Sequence, residues 1–287
     1  MVRTQNPDSA EVDELDPPRG AIQLSTQDFE HFRRFIHERA GISLAPHKRQ
    51  MVSSRLQRRL RHLGMHSFRD YLAHVFAPGQ DQERQHLIDL LTTNETYFYR
   101  EPAHFDFLRH QVFPALRGRP VRAWSAACSS GEEVYTLAMA MAEGLGMGDW
   151  QVLGTDISSR MVDAARQALY PLERAKHLPE TWLAKYCLKG VRSQSGRLLI
   201  DPRLRSRVDF REYNLKRPSI DRPEFDLVFL RNVLIYFDLP TKQLVVNGIA
   251  RALHPGGHLV ISHVETLHGL QTPLELVKPS IYRKPRH

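Results

Sequence analysis

The sequence predicts a doubly wound α/β sheet that follows a small all-helical domain. After Pro102, four short apolar stretches have the length and composition of buried parallel strands, at 121–127, 150–156, 225–232 and 257–262. Amphipathic stretches lie between them at 131–144, 158–168 and 240–253. Alternating buried strands and amphipathic helices are typical of a parallel sheet with helices on both faces.

The first ninety residues have a helical pattern that begins after an acidic segment. Residues 1–20 carry five acidic side chains and three prolines without apolar periodicity, so we expect a disordered tail. Ser25 and Asp28 resemble a capping box, and the helix that they begin is predicted to end at Gly41. Further helices are predicted at 46–63, 68–76 and 82–91.

These patterns divide the chain into two predicted domains. The helical domain spans 21–91, and the α/β domain spans 92–287. Two glycine-marked turns and short alternating runs interrupt the α/β pattern at about 189–210, where we expect a small antiparallel β insertion.

Composition indicates a cytosolic protein with an anionic partner, and we expect a monomer. The 287 residues carry a formal charge of +8, which favours nucleic acid, an acidic protein surface or a membrane face as partner. No apolar run approaches the roughly 20 residues that cross a bilayer, so we expect no membrane insertion. Cys128 and Cys187 cannot form a disulfide framework, and no histidine pair has zinc-helix spacing, so we expect no metal site.

The turn after the first predicted strand indicates a ligand without phosphates. It contains one glycine, Gly131, where a dinucleotide-binding loop has three. Glu132 and Glu133 would repel a pyrophosphate but attract a cationic centre, and Asp156 ends the next strand, where a carboxylate commonly binds ribose. Together these residues favour S-adenosylmethionine. Taken singly, Glu133 is also explained as a helix-start charge and Asp156 as a helix cap.

Two further stretches place polar side chains near the predicted site. Residues 90–101 form the junction between the domains, a common place for ligand pockets, and carry Asn94, Thr96 and Arg100. Residues 229–238 follow a buried strand and carry Arg231, Asn232 and Tyr236. The structural alternatives are a capped linker whose helix runs toward Phe98, and a core tyrosine with a satisfied hydroxyl.

The predicted helix at 46–63 carries a basic face. Opposite its apolar positions lies a ridge of arginines with no interleaved glutamate, so it lacks the i,i+4 pairs of an ordinary exposed helix. We therefore favour docking on an anionic partner over a merely solvated face. The ridge consists of Arg55, Arg58, Arg59 and Arg61.

Several motifs resemble, in order, those of the chemotaxis receptor glutamate O-methyltransferases of the CheR type. They are "LTTNETYFYRE", "WSAACSSGEEVYTLAM", "GTDIS", "YNL", "FLRNVLIYFD" and "LHPGGHLVISHVE". The resemblance covers about residues 21–284. Two departures occur: Ser130-Gly131-Glu132 stands where the family often has Thr-Gly-Glu, and "SHVET" (262–266) stands where "GHSEN" is common, which leaves the role of that segment open.

The resemblance implies an enzyme that transfers a methyl group from S-adenosylmethionine to glutamates on the cytoplasmic helices of chemoreceptors. It places Arg100 and Tyr236 nearest the methyl group, and docks Arg55, Arg58 and Arg59 on acidic receptor helices. Some members of the family also bind a receptor C-terminal peptide through the antiparallel insertion. The implied cofactor site consists of Asn94, Thr96, Arg100, Glu133, Asp156, Asn214, Leu215, Arg231 and Asn232.

Two other functions compete with this interpretation. A nucleic-acid methyltransferase would suit the basic charge, but the sequence has neither an (N/D)PPY motif nor a Pro-Cys nucleophile. A sensor or adaptor that binds the cofactor without turnover would use the same pocket.

For a glutamate substrate no general base is required, because a carboxyl with a pKa near 4.3 is already ionised at neutral pH.

Overall fold

Four helices form the first part of the chain in the computed structural model, which describes residues 22–217 and 224–286. The tail expected over 1–20 lies outside these residues. A 3₁₀ turn at Pro46–Lys48 leads into the second helix. The four helices are α1 Thr26–Ala40, α2 Arg49–His62, α3 Phe68–Phe76 and α4 Asp81–Leu91.

Helix α1 begins and ends at the predicted residues. Ser25 accepts a hydrogen bond from the Asp28 backbone N–H, and Gly41, at φ 75°, donates to the His37 carbonyl. A Cβ at Gly41 would lie 2.6 Å from Cγ2 of Thr241, so glycine is required here for close approach to the second part of the chain as well as for backbone conformation. Apolar side chains of all four helices share one core.

Ten strands form two sheets in the described residues of the second part of the chain. In chain order, they are β1 Val121–Ala126, β2 Trp150–Asp156, β3 Leu169–Pro171, β4 Cys187–Lys189, β5 Arg197–Ile200, β6 Val208–Glu212, β7 Phe225–Leu230, β8 Leu253–Ile261, β9 Glu275–Lys278 and β10 Ile281–Arg283.

The large sheet has the order β6-β2-β1-β7-β8-β10-β9. Strands β2, β1, β7 and β8 are mutually parallel, as predicted, and β6 is also parallel to β2, whereas β10 runs antiparallel to β8 and to β9. All six residues of β7 are buried, because the strand lies between two neighbours and is covered on both faces. The antiparallel edge formed by β9 and β10 is additional to the predicted sheet.

Helices cover the large sheet and connect its strands. Three of them, α7 (Glu132–Leu145), α8 (Ser159–Gln167) and α11 (Leu239–Ala252), lie where the sequence predicted helices. Helix α5 (Pro102–Phe107) continues through a π-helical turn, Leu108–Val112, into α6 (Phe113–Leu116). No helix within 22–217 or 224–286 is both long and apolar enough to cross a membrane. Two further helices are α9 Glu180–Tyr186 and α10 Pro202–Arg205.

The small sheet is antiparallel, with the order β3-β5-β4. It lies farther upstream than the predicted insertion at about 189–210, because two of its three strands begin at Leu169 and Cys187. β6, which the sequence pattern assigned to the insertion, instead pairs in parallel with β2. Strands of three residues, such as β3 and β4, are too short to show an alternating pattern, which explains the difference.

Candidate functional site

A cavity of about 520 Å³ opens where the carboxyl ends of β1, β2 and β7 meet. Parallel sheets bind ligands at this edge, and the volume lies in the range of small-molecule sites. The helical part closes the cavity with residues that include Ile42, Met51 and Arg55. Tyr236 and every predicted cofactor residue line it, namely Asn94, Thr96, Arg100, Glu133, Asp156, Asn214, Leu215, Arg231 and Asn232.

The turn after β1 holds Asp156 at the cavity wall. Ser129 donates its backbone N–H to one carboxylate oxygen of Asp156 at 2.8 Å, and Ser158 donates to the other at 2.9 Å. Ser158, rather than Asp156, caps α8 with its side chain. Burial raises the pKa of Asp156, and the two N–H donors oppose that shift. The carboxylate is therefore fixed in place, with lone pairs left for a ligand hydroxyl.

The same turn depends on Gly131. Its φ is 92°, and a Cβ would lie 2.8 Å from the Cβ of Ala165 in α8. Ala127 and Ser129 also have positive φ values, 68° and 50°. Backbone conformations of this kind cost free energy and cluster at binding sites, where the surrounding structure enforces them.

The two adjacent glutamates at the start of α7 point to different places. Glu132 is fully buried and accepts hydrogen bonds from Arg174 and Ser130, both at 2.7 Å, so its role is structural. Glu133 lines the cavity and accepts from the Ser125 hydroxyl at 2.7 Å. Burial raises the pKa of Glu133, and the positive charge of Arg231 opposes the shift. Of these two glutamates, only Glu133 can therefore contact a cationic group of a ligand in the cavity.

Arg231 is a buried cation with unsatisfied hydrogen-bonding capacity. Its side chain is 1% exposed, one Nη donates to the Arg100 carbonyl at 2.6 Å, and the guanidinium lies 3.3 Å from both Glu101 and Glu133. Nε and Nη1 have no hydrogen-bond partner. Buried polar atoms are almost always satisfied, so these two donors in the cavity wall indicate that a ligand acceptor belongs there.

The loop after β7 is held by a residue that the sequence did not identify. Oε1 of Glu265 accepts from the backbone N–H groups of Val233 and Leu234 at 2.9 and 2.8 Å, and Oε2 accepts from Asn232 and Ser262, both at 2.9 Å. Asn232 has φ 58°. Glu265 belongs to the "SHVET" segment, and a carboxylate directly after a buried strand was the signal available there.

The segment between the two parts of the chain is not helical before Pro102. The capped helix toward Phe98 that we considered is therefore wrong. Tyr99 and Glu101 have φ values of 60° and 57°, and the Tyr99 N–H donates to Thr136 at 3.1 Å. Arg100 donates to the Glu95 carbonyl at 3.2 Å, which leaves most of its guanidinium hydrogens available in the cavity.

The helical part is joined directly to the loop that carries Tyr236. This residue ends a 3₁₀ turn, Leu234–Tyr236, and its carbonyl accepts from the Ser43 N–H at 2.8 Å. Ile42 and Phe237 form an isolated antiparallel bridge, and Asn214 donates to the Arg39 carbonyl at 2.6 Å. Both parts of the chain thus build the cavity.

The basic ridge of α2 is less free than the sequence suggested. Arg55 donates to the carbonyls of Leu91 and Thr92 at the end of α4, at 3.1 and 2.9 Å. Arg59 pairs with Glu83 of α4, which is 5% exposed. These partners lie more than twenty residues away in sequence, whereas the i,i+4 pairs considered from the sequence are formed by residues of the same helix. Of the three residues predicted to dock, Arg58 is the one whose side chain is exposed.

Comparisons with known proteins identify the family to which this chain belongs. The family model described as "CheR methyltransferase, all-alpha domain" matches residues 27–92, and the one described as "CheR methyltransferase, SAM binding domain" matches residues 94–283. The chain belongs to the CheR methyltransferase family. This confirms the family that the sequence motifs predicted, and with it the enzyme class, the fold and S-adenosylmethionine as methyl donor.

Curated relatives of the CheR family match almost the whole chain. The chemotaxis protein methyltransferase of Salmonella typhimurium is 38% identical over 264 residues, which is 91% of each chain. The Escherichia coli protein of the same name is 38% identical over 265 residues, 91% of this chain and 92% of its own. Chemotaxis protein methyltransferase 2 of Pseudomonas aeruginosa is 39% identical over 249 residues, 85% of this chain and 88% of its own.

The side chains of the cavity fit S-adenosylmethionine. The unpartnered Arg231 donors and the available hydrogens of Arg100 suit its carboxylate, and Glu133 suits its ammonium group. Asp156 keeps acceptor capacity for ribose hydroxyls. The turn after β1 contains one glycine, Gly131, rather than the several that a pyrophosphate-binding turn uses, which agrees with a phosphate-free nucleoside.

Proposed function

We propose that this protein methylates glutamate side chains on the cytoplasmic helices of chemoreceptors, for chemotactic adaptation. One observation supports the substrate class most directly: the cavity combines Arg55 from the helical part with Arg100 and Tyr236 from the α/β part. Two cations and a phenol at one cavity suit an incoming carboxylate. The curated relatives, which are named chemotaxis protein methyltransferases, support the receptor as substrate.

The assignment of residues within the cavity is also a proposal. Asn94, Thr96, Asn214, Leu215 and Asn232 surround the donor, while Glu133, Asp156 and Arg231 bind its charged and hydroxyl groups. Arg100 contacts both donor and substrate. We further propose that residues 21–91 form the docking domain and residues 92–287 the methyltransferase domain.

The reaction requires alignment rather than a base. S-adenosylmethionine would supply a methyl group on a positively charged sulfur. As a glutamate carboxylate oxygen bonds to the methyl carbon, the carbon–sulfur bond breaks with its electron pair staying on sulfur, and S-adenosylhomocysteine leaves. Arg55 and Arg100 attract the carboxylate, and the Tyr236 hydroxyl orients it. Holding the reacting atoms about 3 to 3.5 Å apart removes several kcal/mol of the barrier. Because the attack neutralises two opposite charges, exclusion of water from the cavity favours the transition state.

Arg55 is prepared for this role by its surroundings. Burial lowers the pKa of its guanidinium, and Tyr236 opposes the shift, which indicates that the two side chains are near each other. Its hydrogen bonds to the carbonyls at the end of α4 fix the direction of the guanidinium. A fixed cation loses little entropy when a carboxylate arrives.

Docking would use the exposed basic surface around α2. The formal charge of +8 favours an acidic partner, and Arg58 faces solvent. A receptor C-terminal peptide would bind the small β3-β5-β4 sheet. Because the substrate helices are cytoplasmic, we place the protein in the cytoplasm, where we expect a monomer without nucleic-acid partners.

The experiment measures transfer of labelled methyl groups to purified receptor signalling domains, with DNA and RNA as alternative acceptors. Tyr236→Phe should bind S-adenosylmethionine as tightly as the unaltered protein by calorimetry, while turnover falls at least about tenfold, since one positioned hydrogen bond is worth roughly 1.5 kcal/mol. Tyr186→Phe is the control, because that hydroxyl binds Glu143 far from the cavity.

Label on receptor glutamates alone supports the proposal. Label on nucleic acid, or binding of the donor without any transfer, contradicts it. Unchanged turnover in Tyr236→Phe removes the hydroxyl from the mechanism but leaves the substrate assignment intact.

A further inference from the structure

A second group of polar side chains lies beside the cavity, behind Arg231. Glu101 precedes α5, His104 lies in the first turn of α5, and His263 follows β8. One potential ligand atom from each of the three lies within 4.8 Å of the others. The proposed methyl transfer uses neither histidine. The group is called the Glu101 cluster below.

Hydrogen positions around Ser280 determine which nitrogen of His104 carries its proton. The Ser280 hydroxyl oxygen lies 2.5 Å from the carbonyl oxygen of Pro279 and 3.2 Å from Nδ1 of His263. Nε2 of His104 lies 2.7 Å from the same hydroxyl oxygen. In the tautomer in which Nε2 donates to Ser280 and the hydroxyl donates to Pro279, Nδ1 of the neutral ring keeps a lone pair that can bind a metal ion.

Nδ1 of His104 has no hydrogen-bond partner although its side chain is 1% exposed. Oε2 of Glu101 lies 3.3 Å away without hydrogen-bond geometry. Nδ1 is thus a buried nitrogen without a partner beside a carboxylate oxygen, whereas buried polar atoms are almost always satisfied. Arg231 contacts this glutamate oxygen at 3.3 Å but does not satisfy the histidine.

We propose that the Glu101 cluster binds a divalent transition-metal ion of the zinc type. Imidazole nitrogen and carboxylate oxygen are zinc ligands, and two histidines with one glutamate leave a fourth position for water. With bonds of about 2.0–2.1 Å, ligand atoms in a tetrahedral site are about 3.4 Å apart. The Glu101–His104 pair already has this spacing, at 3.3 Å, and a ligand atom of the exposed His263 lies within 4.8 Å of both, so that ring has to move closer.

A bound ion would link two separate segments. Glu101 already accepts hydrogen bonds from the Ser262 hydroxyl at 2.7 Å and the His263 N–H at 3.3 Å. The metal would add coordinate bonds to these links between the start of α5 and the end of β8. Binding to the folded state alone raises the melting temperature.

The test uses the untagged full-length protein after removal of metal by EDTA and dialysis. Zn²⁺ is titrated by calorimetry, Co²⁺ is followed by visible absorption, and melting temperatures are recorded with and without Zn²⁺. His263→Ala removes one exposed ligand, and His268→Ala, an exposed histidine five residues later, is the matched control. Both substitutions leave the core intact.

We expect one Zn²⁺ per chain, a higher melting temperature with Zn²⁺, and a Co²⁺ spectrum without thiolate bands. His263→Ala should bind Zn²⁺ at least about tenfold more weakly, because even indirect supports of metal ligands are worth 10- to 100-fold in affinity. His268→Ala should bind normally. The proposal is overturned if the unaltered protein shows no saturable 1:1 binding, if His263→Ala binds equally well, or if both variants lose binding equally.

Discussion

Replacing Glu265 by glutamine tests how the loop that carries Tyr236 is held. The carboxylate accepts four backbone N–H groups, two at each oxygen. In glutamine one oxygen becomes an NH₂ group, which would face two N–H donors. Each hydrogen bond to a charged acceptor is worth about 1.5–3 kcal/mol, so losing two costs at least about 3 kcal/mol.

This loss acts locally, because the four donors belong to the loop and to the end of β8. If the reactive conformation of the loop loses about 3 kcal/mol of stabilisation, kcat/KM for methyl transfer should fall by about 100-fold. The assay is labelled methyl transfer to receptor domains, with donor affinity and melting temperature measured in parallel. Glu275→Gln is the control, because Glu275 is exposed on β9 and lies 3.8 Å from Arg283.

A Glu265→Gln variant whose kcat/KM stays within twofold of the unaltered protein, with unchanged donor affinity, would refute the reasoning. A loss of similar size in Glu275→Gln would show that the effect is not specific to the loop.

Two further predictions concern stability. Arg59→Ala should lower the free energy of unfolding in urea by about 3 kcal/mol, because it leaves the buried Glu83 carboxylate without its cationic partner. Arg58→Ala, at an exposed side chain, should change that free energy by less than about 0.5 kcal/mol. Equal effects of the two substitutions would contradict the assigned contacts. Burial and the charge of Arg283 lower the pKa of His258 to about 4. In the unfolded chain this ring has a pKa near 6.5, so protonation of His258 should lower the free energy of unfolding by up to about 2 kcal/mol between pH 6.5 and pH 5. The His258→Gln variant should lack this pH-dependent loss. If urea unfolding of the variant has the same pH dependence as that of the unaltered protein, His258 is not the cause.

The sequence predicted the elements whose signals are local. Ser25, Asp28 and Gly41 mark both ends of α1, and the apolar runs that became β1, β2, β7 and β8 are long enough to be recognised. The cavity followed from a general property of parallel sheets, whose carboxyl ends bring together residues that are distant in sequence.

Contacts between distant segments could not be predicted in this way. Glu83 lies 24 residues from Arg59, and Glu265 lies about 30 residues from the loop that it holds. The spacing of Glu101 and His104, three residues apart at a helix start, was visible in the sequence, but the third member of that cluster, His263, lies 162 residues after Glu101. Our expectation of no metal site considered the two cysteines and the spacing of histidine pairs, but not a carboxylate combined with histidines.

The shared construction of the cavity limits how freely the family can exchange its parts. Ile42, Met51 and Arg55 come from the helical part, and Ser43 is hydrogen-bonded to Tyr236. A chimera that imports residues 22–91 from a relative to redirect target choice would also import part of the wall around the methyl donor. Evolution of new targets in this architecture is therefore coupled to donor affinity.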